Sequence, residues 1–211
     1  MKKFALLAVA LFAAAPVLSA QTGTMKFVNG GSVDDGHYYV GNYNATLDGN
    51  PITVNCVDFF HDVNNGDVWT VNETALLGGD LSHTRLASNA NGLDLYKQAA
   101  FLTGQYAGKS NSDIVNIQHA IWTLFAPVGD PNVNNAASQS WVAFAQTNFD
   151  TSNFNYADFR ILTDTRVNDD MTADNLTKQE FLTTTPEPSS IALLGTGLFG
   201  LVPLVRRRRM S

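Results

Sequence analysis

The chain has 211 residues, with 19 Asp and Glu against 13 Lys and Arg and a formal net charge of −6. That length admits one ordinary domain plus targeting segments. Six of the basic residues lie at the two ends, as Lys2, Lys3 and Arg206 to Arg209, so the stretch between them carries about −12. Such a balance argues against nucleic acid or an anionic membrane surface as a partner, because both attract clustered Lys and Arg.

In chain order, Lys2 and Lys3 precede an apolar run from Phe4 to Leu18, and Ser19 and Ala20 offer a small-residue cleavage site. Residues 1–20 therefore read as a secretory signal peptide, with signal peptidase as the first partner and Gln21 as the mature N-terminus. The run is short for a membrane span and contains Pro16. Residues 21–36 are polar and Gly-rich, apart from an apolar patch at Met25 to Val28. A Tyr- and Val-rich strand begins at Tyr38, turns at Asp48-Gly49 and returns as Ile52 to Phe60; Asn64-Asn65-Gly66-Asp67 is a second turn, before Val68 to Val71. Three consecutive antiparallel strands are expected, with Cys56 on the middle one. Alternation puts Ile52, Val54 and Cys56 on the core face.

After a Gly- and Ser-rich connection the apolar period changes. Helices are expected over Leu93 to Tyr106, Ile114 to Phe125 and Ala136 to Asn148. Ser110 or Ser112 would cap the second, Pro127 ends it, and Trp141, Phe144 and Ala145 face inward on the third. Short strands at Phe159 to Leu162 and Glu180 to Thr183 would close the sheet, and Thr183 to Pro186 reads as a tether. The fold class is α+β: an antiparallel β-sheet or sandwich over residues 21–183, packed against a small helical subdomain.

The last segment, 184–211, contains Pro186-Glu187-Pro188, an apolar run from Ser189 to Val205, and Arg206-Arg207-Arg208-Arg209. Seventeen apolar residues followed by arginines suit a C-terminal transmembrane helix whose basic end stays cytoplasmic. These three parts in this order resemble the PEP-CTERM sorting signal. The resemblance implies an exosortase as partner, transient anchoring in the inner membrane, release to the cell surface or extracellular matrix, and a host that makes polysaccharide or biofilm.

Cys56 is the one cysteine of a chain bound for an oxidising compartment, so it has no internal disulfide partner. On a helical wheel Gln118 falls inside the apolar arc of Ile114, Ile117, Ile121, Leu124 and Phe125. A buried primary amide needs partners, so something in the core must meet it. A small buried Cys and a Gln bonded to backbone would also satisfy both observations. Cys56-Val57-Asp58 together with Gln118-His119-Ala120-Ile121-Trp122 resembles the thioester domain of bacterial surface adhesins. In that family the thiolate displaces ammonia from the amide, which here implies a Cys56–Gln118 cross-link and amines on proteins or polysaccharide as targets.

Asp58 shares the strand face of Cys56, where it orients the site or, more simply, caps the sheet edge. His119 lies about 100° from Gln118 on the wheel and is expected at the surface. Trp122, like Trp69 and Trp141, reads as a core or half-buried anchor, although exposed Trp and Tyr could stack on sugars. His37, His61 and His83 show no metal spacing, Asp62, Asn64 and Asp67 suit a polar turn better than a calcium loop, and no cofactor motif is present. Three functions remain: an adhesin-type surface protein with single-turnover covalent attachment, a non-covalent structural or polysaccharide-binding matrix protein, and a secreted hydrolase pairing Cys56 with a His. The first leads.

Overall fold

The computed structural model describes residues 21–125, 129–151, 153–167 and 176–184. The expected signal peptide, and the tail from residue 185 on, with Pro186-Glu187-Pro188, the run expected to span the membrane and Arg206 to Arg209, lie outside them. Among the described residues no helix is long and apolar enough to cross a membrane.

Among the described residues the domain has eight strands and three α-helices: β1 (Gln21–Asn29), β2 (Val33–Asp34), β3 (Tyr39–Val40), β4 (Asn42–Leu47), β5 (Asn50–Cys56), β6 (Val68–Ala75), α1 (Gly92–Thr103), α2 (Asn111–Phe125), α3 (Ala136–Asn148), β7 (Phe159–Asp164) and β8 (Phe181–Thr184). The expected α+β class holds, but the sheet is neither open nor a sandwich. Six strands close into a barrel in the order β1-β4-β5-β8-β7-β6, every pairing antiparallel. Closure removes exposed strand edges. The β4–β5 hairpin turns where expected, with Asp48 and Gly49 both at positive φ, 50° and 81°. Such a pair of angles matches the twist of the flanking strands.

Two expectations about the sheet fail. β5 does not pair with β6; its partners are β4 and β8, while β6 pairs with β1 and β7. The region 21–29, read as polar and Gly-rich with the first strand expected only from Tyr38, is a nine-residue barrel strand with Gly23, Met25 and Phe27 buried. A Cβ on Gly23 would come within 2.8 Å of Leu47 and Glu73 side-chain atoms. This glycine is there for close approach. Thr183 is also no tether: it lies buried in β8 and donates to the Thr53 carbonyl at 2.8 Å.

Two apolar clusters divide the barrel wall by alternation. Met25, Phe27, Tyr43, Val54, Cys56, Trp69, Leu162 and Phe181 belong to one; Val57, Ile161 and Leu182 join Tyr96, Ala99, Ile117, Ile121 and other helix residues in the other. Each aliphatic side chain so buried contributes about 1.5–3 kcal/mol. The helices fall close to their expected spans. Ser110 Oγ accepts from the Asp113 backbone N–H at 3.2 Å and donates to its carboxylate at 2.8 Å, which caps α2. On α3, Ala145 is buried but Phe144 is 40% exposed, with its ring against Phe101 and Trp141.

Candidate functional site

The site lies where the C-terminal end of β5 meets the middle of α2. Ile117, Gln118, His119, Ala120, Ile121 and Trp122 are all buried. A surface helix would expose two or three of six consecutive residues. Here the helix layer takes Ile117 and Ile121, Trp122 joins the barrel interior, and β2 and β3 pack against the remaining face.

Cys56 and Gln118 have no exposed surface and meet directly. Gln118 Nε2 donates to the Cys56 carbonyl oxygen at 2.7 Å, and Tyr106 Oη donates to Gln118 Oε1 at 2.9 Å. The buried amide therefore has its oxygen and one N–H satisfied. The Cys56 thiol donates to the Asp58 carbonyl oxygen at 3.0 Å. Burial, and then the charge of Asp58, push the thiol far above its usual range, against weaker favourable effects of Trp122, the Asp58 backbone and Arg85. Burial also raises the Tyr106 phenol, with the nearby Cys56 adding to it, so Tyr106 stays a neutral donor.

Beneath this pair runs a buried charged network. Asp58 is fully buried and holds His61 Nδ1 at 2.8 Å and Arg85 Nε at 2.7 Å. The Arg85 backbone N–H donates to Glu180 Oε1 at 3.0 Å, and Glu180 also accepts from Tyr96 and Thr163 hydroxyls, each at 2.5 Å. Burial raises the Glu180 carboxyl despite those donors. Asp58 is thus the centre of an ion-pair cluster and not a cap on a sheet edge, since closure of the barrel leaves no open edge beside it. His61 is committed to Asp58, and the thiol to a backbone carbonyl, so neither group forms a Cys–His pair with the other.

His119 departs from its expected surface position. It is 2% exposed, its Nε2 is 2.7 Å from Asp35 Oδ2, and its ring stacks on Trp122 at 5.7 Å. The cause is the β2–β3 ribbon, which brings Asp35 over the side of α2 that the wheel assigns to solvent. Trp122 touches His119, Tyr38 and Phe59 and belongs to the cluster that contains Cys56. Tyr106, Arg85, Glu180 and Asp35 were not singled out by sequence reasoning. Only Tyr106 carried a local hint, an aromatic hydroxyl just beyond an apolar helix. Among the described residues no group of His, Cys, Asp and Glu is arranged to hold a metal ion.

Residues 184–209 match the PEP-CTERM protein-sorting motif. The motif marks an exported protein sorted by an exosortase, and it starts on the last residue of β8. No curated protein and no solved structure matches the chain. The likeness of the central domain to adhesin thioester domains thus stands on the residues around Cys56 and Gln118 alone.

Proposed function

We propose that this is a surface- or matrix-associated protein of adhesin type, which attaches covalently to amine-bearing targets through an internal thioester between Cys56 and Gln118. The observation that carries the reading is the clamp on the Gln118 amide, oxygen on Tyr106 and nitrogen on Cys56 itself. This holds the amide carbon beside the residue that supplies the nucleophile, in a site closed to water.

In forming the bond, Cys56 Sγ attacks Gln118 Cδ, the Cδ–Nε2 bond breaks, and the thiol proton leaves with the nitrogen as ammonia. Negative charge gathers on Oε1 in the transition state, where the Tyr106 hydroxyl already points. The thiol is protonated at rest, so the step draws on proximity and not on a ready thiolate. An incoming amine then attacks Cδ, Sγ leaves and takes up the amine's proton, and an amide cross-link and a free thiol remain. A buried thiol of raised pKa is a poor leaving group, which keeps the bond dormant until the site opens. Each molecule reacts once, so this is acyl transfer without turnover.

The alternative is a non-covalent matrix protein, in which the same hydrogen bonds serve only to satisfy two buried polar residues. Intact mass separates the two. The exported wild type should be lighter than its sequence by one ammonia and Cys56→Ala should not; full mass with a freely alkylated Cys56 would remove the covalent reading.

A further inference from the structure

A cleft of about 400 Å³ is lined by Tyr38, Tyr39, Phe59 and Trp122 together with Asp62, Asn64 and Asn65. We propose that this cleft binds glycans carrying free amino groups and is the entrance through which an acceptor amine reaches Gln118. The second half rests on the thioester reading; the first does not.

Three features point to that chemistry. The rings of Tyr38, Phe59 and Trp122 lie 5.2–5.8 Å apart, centroid to centroid, and Tyr39 beside them is 62% exposed. Exposed aromatic faces offer an apolar platform for the C–H face of a sugar ring and attract a cation above it. In the same lining, Asp62, Asn64 and Asn65 are exposed on one loop and present planar donors and acceptors of the kind that hydroxyl groups need. The charge is one-sided as well. Among the described residues no Lys or Arg lines the cleft, which holds Asp62 and His37, and two further carboxylates contact Tyr38, one of them, Asp35, paired with His119. Asp35 Oδ1 accepts the Tyr38 backbone N–H at 2.7 Å, and Asp130 Oδ2 lies 3.4 Å from the Tyr38 hydroxyl. An anionic glycan would be repelled, and a neutral one would use the acids only as hydrogen-bond acceptors, without the charge. A glycan with ammonium groups uses both halves of the lining.

Depth connects the cleft to the site. Tyr43 and Trp122 line it and also pack in the cluster that contains Cys56. Trp122 also bears on the Cys56 thiol itself, whose charged form its side chain favours.

Binding is best measured by calorimetry on Cys56→Ala protein recovered after export, which forms no thioester. The probes are a partly deacetylated oligomer of N-acetylglucosamine, its fully acetylated counterpart and a lysine-rich peptide. We expect the free-amine oligomer to bind, and acetylation, Tyr39→Ala or Asp62→Asn each to weaken it about tenfold. Tyr39 and Asp62 are exposed, so both variants should melt with the parent. No binding, equal binding of the acetylated oligomer, equal or tighter binding of the peptide, or binding indifferent to both substitutions would overturn the proposal. Such a failure, with wild type still an ammonia short in mass, would remove the cleft and leave the thioester standing.

Discussion

Gln118 reaches across from α2 and donates its side-chain N–H to the main-chain carbonyl of Cys56 at 2.7 Å, with neither residue exposed to solvent. A helix glutamine is thereby fastened to the last residue of a barrel strand. Its carbonyl oxygen is held in turn by Tyr106 at 2.9 Å.

Tyr106→Phe keeps the ring and removes the donor. The Gln118 oxygen is then left unsatisfied, at a cost of about 1–3 kcal/mol. If Tyr106 also stabilises charge on that oxygen, loss of ammonia during refolding should slow by about two to three orders of magnitude, what one oxyanion donor contributes. Mass spectrometry over a refolding time course reads this directly. An unchanged rate would limit Tyr106 to a packing role.

Gln118→Glu puts a carboxyl where the amide was. Protonated, it can still donate to the Cys56 carbonyl; ionised, it faces that carbonyl oxygen as an unpaired buried charge. Burial raises its pKa in the fold above the unfolded value. Its contribution is therefore present in full below the unfolded pKa and lost as pH rises through the folded one. Urea midpoints should fall between pH 4 and 7 relative to wild type, and a constant difference would contradict this placement.

Asp58→Ala strips the counter-charge from Arg85 and the partner from His61. Removing one side of a buried ion pair costs about 3–5 kcal/mol. The variant should therefore be close to unfolded at 37 °C, whereas Lys178→Ala, at a half-exposed pair with Asp67, should shift stability little. Thermal melts of the two variants give the comparison.

Asp35 supplies an acid-side test. Burial raises its carboxyl, but the backbone N–H groups of Tyr38 and His37 and the side chain of His119 outweigh that, so its pKa lies below the usual 3.8. A depressed carboxylate contributes stability that is complete above 3.8 and is lost as pH falls through the folded value. Denaturant midpoints of wild type should drop more steeply than those of Asp35→Asn below pH 4. Parallel curves would show that these partners do not hold the Asp35 carboxyl below its usual range.

What the chain reveals of this fold follows the range of each interaction. The Asp48-Gly49 hairpin, the Ser110 cap and the three helices rest on neighbours in sequence, and all were legible. Closure of the barrel was not, because β1 pairs with β6 across more than forty residues and lies in a stretch that reads as polar and Gly-rich. At the site, the wheel placed Gln118 inward and alternation did the same for Cys56. His119 went astray because amphipathicity describes one helix and one solvent, and cannot register the ribbon that carries Asp35 onto its far side. Arg85 was invisible for the same reason, because its partner Asp58 comes from a distant segment, and Tyr106 offered only its hydroxyl at the end of an apolar helix.

The central claim is a covalent one, and peptide mapping after methylamine treatment meets it most directly. Exported protein is unfolded in methylamine with an alkylating reagent, digested, and the peptides containing Gln118 and Cys56 are sequenced by mass. A thioester predicts methylamide at Gln118 and a newly alkylated Cys56, both absent from Cys56→Ala and from protein never exposed to amine. An unmodified Gln118, with Cys56 alkylated equally whether or not methylamine was present, would contradict it.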